Sequence, residues 1–102
     1  MEKNTAITAL GALAQETRLD VFRLLVERGP EGLPAGAIAG ALDIPAATLS
    51  FHLKALKEAG MVRRARKGRA LVYAADFPHM EALLRFLTDN CCQGACRPPA
   101  RP

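Results

Sequence analysis

Residues 43–60, DIPAATLSFHLKALKEAG, constrain the chain more than any other stretch. Leu49, Leu53 and Leu56 recur at a four-then-three spacing, which lines one face of an α-helix and turns that face to a core. The opposite face carries Ala47, Ser50, Phe51, Lys54 and Lys57. It is small at its N-terminal end and basic further along, which suits a helix whose first turns enter a major groove beside phosphates. Gly60 can adopt the left-handed conformation that closes a helix, and Met61-Val62-Arg63-Arg64 opens a strand-like run. The stretch reads as the turn and second helix of a helix-turn-helix.

Upstream, residues 5–13 are rich in Ala and Leu, with Ile7, Leu10 and Leu13 at helical spacing, and predict a short first helix. Residues 16–27 predict a second helix, with Leu19, Val21, Phe22, Leu25 and Val26 as a wide apolar stripe that anchors the core. Gly29-Pro30 ends it. Residues 31–34 form a turn-rich link, and residues 35–42, AGAIAGAL, form a supporting helix small enough for a neighbour to approach closely.

Pro45 opens the reading helix but brings no capping oxygen, so Thr48 or Asp43 is expected to compensate. Ala46 and Ala47 offer a duplex only apolar contact with thymine methyls. Thr48 and Ser50 carry hydroxyls that reach bases or phosphates, or else bond locally to the helix backbone. Phe51 is expected outward, against a thymine methyl or under the hairpin that follows. His52, beside Leu49, Leu53 and Leu56, is expected partly buried and satisfied, and His79 reads as a surface residue near the start of the last helix.

Residues 61–66 and 69–74 are two short runs joined by Lys67-Gly68, with Leu71 and Tyr73 alternating against Ala70 and Val72, the pattern of a β-hairpin. Arg63, Arg64, Arg66, Lys67 and Arg69 crowd around its tip. After a reading helix, such a cluster is placed for phosphate or minor-groove contact. The candidate DNA-binding residues are therefore Ala46, Ala47, Thr48, Ser50, Phe51, Lys54, Lys57, Arg64, Arg66, Lys67 and Arg69. Asp76-Phe77-Pro78 then carries the signals of a helix start. Met80, Leu83, Leu84 and Leu87, with Phe86 beside them, make a stripe broader than a small core needs, so part of it is expected to bury against a second chain.

Length and composition set bounds on these readings. A chain of 102 residues is one domain with a single modest core. Fourteen Lys and Arg against ten Asp and Glu give a net charge of +4, which fits a polyanionic partner. No apolar run is long enough to span a bilayer and the N-terminus lacks the parts of a signal peptide, so a cytosolic location is expected. No nucleophile, base and oxyanion donors converge and no phosphate-cradling glycine loop is present, which argues against an enzyme.

Residues 48–62, TLSFHLKALKEAGMV, resemble the S-x-H-L-x-x-L-x-x-A-G-L-V signature of the ArsR/SmtB family of winged-helix repressors, which respond to metals and metalloids. Leu13-Ala14-Gln15-Glu16-Thr17-Arg18-Leu19 resembles that family's L-A-D-P-T-R-L lead-in to its second helix. Gln15 and Glu16 depart from it, and a weaker helix cap is expected there. The resemblance implies a mainly α winged helix-turn-helix of five helices plus a β-hairpin wing. It also implies a homodimer with the first helix in its interface, bound to a palindromic operator in double-stranded DNA.

All three cysteines, Cys91, Cys92 and Cys96, fall within residues 91–102, where a reducing cytosol keeps them as thiols available to a soft ligand. In a helix Cys91 and Cys92 stand about 100° apart, so the last turn must loosen for their sulfurs to converge. Gly94 permits that and lets Cys96 approach the pair. Three sulfurs without a supporting His fit As(III), which takes three in a pyramid, and Sb(III) or methylated arsenicals use two or three. Zinc or cadmium would want a fourth ligand, from Asp89 or water.

A disulfide from Cys91 or Cys92 to Cys96 would instead make a redox switch. Because the reading helix holds no cysteine, the resemblance implies the arsenite-responsive class with C-terminal cysteines. The expected organisation is a DNA-binding and dimerisation domain over residues 1–90 and a flexible Cys-containing tail over residues 91–102. The chain is expected to repress without a cofactor and to leave its operator on binding As(III) through Cys91, Cys92 and Cys96. A thiol redox-sensing repressor is the alternative, and a small metal-carrying or arsenical-buffering protein is the rival from another class.

Overall fold

The computed structural model describes residues 1–94. Its elements run α1 (Lys3–Leu13), α2 (Glu16–Arg28), β1 (Leu33–Pro34), α3 (Ala35–Leu42), α4 (Ala46–Glu58), β2 (Val62–Lys67), β3 (Ala70–Ala75) and α5 (Phe77–Thr88), followed by a short 3-10 turn, Cys91–Gly94. Five helices and a small antiparallel sheet are the architecture expected. No single helix among the described residues is long and apolar enough to cross a membrane.

The first helix packs by its small side, not its large one. Ala6, Ala9 and Ala12 are buried, while Ile7 and Leu10 are exposed. Alanines let the α1 backbone come close to its neighbours, and Ile7 and Leu10 are left on its outer side. In α2, Val21, Phe22 and Leu25 enter the core as expected, but Leu19 is 44% exposed and does not anchor it. Gln15 caps α2, its Oε1 accepting the Arg18 backbone N–H at 2.9 Å. Gly29, at φ 92°, ends the helix.

The link expected over residues 31–34 contains a third strand. β1 pairs antiparallel with β3, Leu33 opposite Tyr73 and Pro34 opposite Val72, giving the order β1-β3-β2. Gly32 makes this possible: at φ +71°, any side chain there would overlap the Tyr73 carbonyl. β2 and β3 form the hairpin in register from Val62–Ala75 to Lys67–Ala70, turning at Gly68 with φ +64°.

The core centres on Val21, Leu25, Ile38, Leu49, Leu53, Leu56 and Met61, all fully buried. Each such side chain contributes about 1.5–3 kcal/mol by leaving water. The end of α4 is locked to the sheet through this core. Gly60, at φ +80°, donates to the Lys57 carbonyl at 3.0 Å, and Met61 donates to Leu56 at 2.9 Å, the paired bonds of a Schellman closure. The Met61 carbonyl in turn accepts from the Asp76 N–H at 2.9 Å. Asp76 caps α5, its Oδ1 accepting the His79 N–H at 3.0 Å. His79 is not the surface residue expected, because its ring packs on Gly60 and its Nε2 is buried with no hydrogen-bond partner among the described residues.

Candidate nucleic-acid interface

The turn between α3 and α4 is set by Asp43, whose φ of 54° ends α3 in the left-handed region while its N–H bonds the Ala39 carbonyl. The two helix axes then differ by 113°, within the range of a helix-turn-helix. Pro45 is the N-cap of α4 and no side chain caps the helix, so the compensation expected from Thr48 or Asp43 does not occur. The unbonded N–H groups of the first turn lie beside exposed Ala46, Ala47 and Thr48, open to an outside acceptor.

Burial of Leu49, His52, Leu53 and Leu56 turns the other side of α4 outward. Ala46, Ala47, Thr48, Ser50, Phe51, Lys54 and Lys57 are all exposed, and the helical phase gathers them on one surface. Arg64, Arg66, Lys67 and Arg69 are exposed on the hairpin. The strand register divides them. Arg64 lies opposite Tyr73 and Arg66 opposite Leu71, whereas Arg63 lies opposite Ala74 and Lys67 opposite Ala70, on the other face of the pleat.

A groove of about 330 Å³ joins the reading helix to the Arg64 face, lined by Ser50, Leu53, Lys54, Lys57, Arg64 and Tyr73, with Glu58 at its side. A second, of about 320 Å³, is lined by Arg63, Arg64 and Lys67 with Glu31, Val72 and Ala74, so Arg64 borders both grooves. The cationic cluster thus spans both faces of the hairpin, with Arg64 at their border. Tyr73 escaped the sequence reading because only the strand register brings it beside the reading helix.

Phe51 is 64% exposed and meets Arg18 of α2, not the hairpin: the guanidinium carbon lies 5.6 Å from the ring centroid. His52, 8% exposed, accepts a hydrogen bond at Nδ1 from Arg18 Nε at 3.2 Å and stands edge-on to Phe51. Burial, then the Arg18 charge, holds this imidazole below its ordinary pKa and keeps it neutral, with its proton on Nε2. Arg18 precedes His52 by 34 residues, so no local spacing points to the pair.

The helix expected to run into residues 90–92 stops at Thr88. Asn90, Cys92 and Gln93 take positive φ of 58°, 52° and 56°, the loosening that convergence of the sulfurs requires. Cys91 Sγ and Cys92 Sγ stand 3.8 Å apart. Cys92 is disulfide-bonded while Cys91 is a free thiol, so the two sulfurs, whose separation matches the roughly 3.8 Å between two ligands of a tetrahedral centre, can share one soft ion only once that bond is reduced. Among the described residues no three of His, Cys, Asp and Glu converge as a ligand set, and Asp89 does not complete one. Cys96 lies outside the described residues.

A helix-turn-helix with an exposed basic reading helix and a cationic strand pair beside it defines a winged-helix DNA-binding module. Residues 13–65 match the family described as "Helix-turn-helix domain", and the chain belongs to that family, as a transcription regulator of the ArsR type. It is 28% identical over 95 residues to the transcriptional activator HlyU of Vibrio cholerae, covering 91% of this chain and 85% of HlyU.

Solved structures agree with this assignment. An ArsR-like transcriptional regulator from Rhodococcus sp. RHA1 superposes with a TM-score of 0.74 at 26% identity, over 82% of this chain and 76% of that one. A homodimeric winged helix-turn-helix DNA-binding domain from Mycobacterium bovis gives 0.67 at 26% identity, over 94% and 89%. Reduced HlyU from V. cholerae gives 0.68 at 26%, over 88% and 92%.

Proposed function

We propose that this chain is a homodimeric repressor that binds a palindromic operator and releases it when As(III) is captured by Cys91, Cys92 and Cys96. The observation that supports the proposal is the 3.8 Å separation of the Cys91 and Cys92 sulfurs immediately beyond a helix whose outer face is apolar, with the disulfide at Cys92 reduced before the ion is taken up. Leu84, Phe86 and Leu87 of α5 are exposed, as are Ile7 and Leu10 of α1, and a second copy would bury them. A homodimeric neighbour supports the same assembly.

Capture of a soft ion redraws the chain just after Thr88, next to that interface, and so alters the spacing of two reading helices that must meet half-sites about one DNA turn apart. A coupling of about 1–3 kcal/mol between the two sites would lower operator affinity about 5- to 150-fold. Sb(III) and methylated arsenicals share the sulfur preference and are further candidate inducers.

Peroxide-driven release through the same cysteines is the second reading. It is favoured by the disulfide bond at Cys92, and one similar solved structure is described as reduced HlyU. Fluorescence anisotropy separates the two. Reduced protein is titrated onto a labelled duplex enriched from a random-sequence pool, then challenged with arsenite, zinc or peroxide, alongside a Cys91→Ser/Cys92→Ser variant. Release by arsenite, lost in the variant, is the expected result. Release by peroxide alone would replace the arsenite reading with the redox one.

A further inference from the structure

Arg18 carries a positive charge that no group in the described chain neutralises. Its Nε donates to His52 Nδ1 at 3.2 Å and its guanidinium carbon lies 5.6 Å from the centre of Phe51. No carboxylate pairs with it among the described residues. Both neighbours belong to α4, and Phe51 stands on the outward side of that helix, one turn beyond Ala47 and one turn before Lys54. The half-exposed guanidinium is therefore held at the margin of the surface that would meet a duplex, although its own backbone lies in α2.

A tie between α2 and α4 needs one N–H donor aimed at Nδ1, and a neutral side chain could supply it. A cation beside an imidazole is a costly way to make that tie unless an anion approaches from the open side. One donor of the fork is committed to His52, and the remaining N–H groups keep the bidentate geometry that matches a phosphate. The bond to His52 and the contact with Phe51 fix the side chain before binding, so little rotamer entropy is left to lose when a phosphate arrives.

We propose that Arg18 contacts the DNA backbone from α2 as an additional element of the reading head, with Phe51 and His52 as its positioning residues. The assignment rests on the DNA-binding reading above and adds a phosphate to its footprint.

The test is the salt dependence of binding to a labelled duplex enriched from a random-sequence pool. Arg18→Gln keeps a donor for His52 and removes the charge. It is expected to bind about tenfold more weakly at low ionic strength. The slope of log affinity against log salt should fall by about 0.9, the value of one phosphate. Arg18→Lys should retain the wild-type slope.

An unchanged slope in Arg18→Gln overturns the proposal, because a purely structural tie would alter thermal stability without touching the ion count. Lys54→Gln run in parallel distinguishes the levels. If Lys54→Gln loses slope and Arg18→Gln does not, only the Arg18 assignment fails. If the wild type enriches and binds no duplex, the DNA-binding reading fails and takes the Arg18 assignment with it.

Phenylglyoxal modification of the wild-type protein, read by mass spectrometry, needs no variant to fold. Saturating duplex should protect Arg18 and leave exposed Arg23 of the same helix reactive. Equal reactivity of Arg18 with and without duplex overturns the proposal as well.

Discussion

The imidazole of His79 lies against Gly60, its Nε2 only 3.0 Å from the point a β-carbon on that glycine would occupy. Gly60 also holds φ +80°, which L side chains rarely adopt. Gly60→Ala therefore meets a steric and a conformational obstacle together. It is expected to destabilise the fold by about 2 kcal/mol, measured by urea unfolding. Adding His79→Ala should recover the steric part and leave the conformational one. Full recovery in the double variant would mean that the left-handed turn carries no strain for alanine.

His52 makes folding stability fall in mild acid. Its pKa is lowered from 6.5 by burial and then by Arg18, so the folded state binds fewer protons than the unfolded one. The sign follows from linkage: stability is fully present above 6.5 and is lost progressively as pH drops through the folded-state value. Thermal midpoints of the wild type should decline as pH falls below 6.5, and His52→Gln should flatten that limb of the curve. An identical acid limb in both proteins would assign the loss to other groups.

The two faces of the hairpin are expected to differ in their use of DNA. Arg64 and Arg66 share the pleat face that Tyr73 presents to α4, and Arg63 stands on the opposite one. Arg64→Ala and Arg66→Ala should each reduce the salt slope of duplex binding by about 0.9. Arg63→Ala should leave it close to wild type. Equal losses at all three positions would show that the duplex wraps both faces.

Leu84 and Leu87 are 50% and 54% exposed at the end of α5. Exposed positions tolerate polar replacement, so Leu84→Lys/Leu87→Lys is expected to fold with little loss of stability in the single chain and to sediment as a monomer. Its operator affinity should drop by at least tenfold, because two reading heads no longer bind as one. A dimer that survives this pair of changes would place the interface elsewhere.

The reading helix was legible because one local period decides it. Leu49, Leu53 and Leu56 fix the inward face, and every residue assigned to the opposite side is exposed. Gly60 and Asp76 were legible for the same reason, as helix ends are written within a few residues. What escaped depended on distance. β1 is two residues long, too short for any periodicity, and exists only because Tyr73 and Val72 offer it an edge. Arg18 and His52 meet across 34 residues.

Apolar bulk is a poor guide to which side of a helix goes inside. In α1 the small Ala6 and Ala9 are buried, and the larger Ile7 and Leu10 remain on the surface. Leu19 was misplaced by the same preference for bulk.

The hydrogen bonds that run from Leu56 through Met61 to Asp76, with β1 fastened to the far side of β3, leave the hairpin no hinge of its own. Reading helix and strand pair are fastened to each other by these bonds, so the angle between them is not where an effector is expected to act. A signal arriving beyond Thr88 must change how one such body is posed against another. Under the proposed mechanism, each head would keep its selectivity for its half-site, and an inducer would alter only whether two half-sites can be held at once.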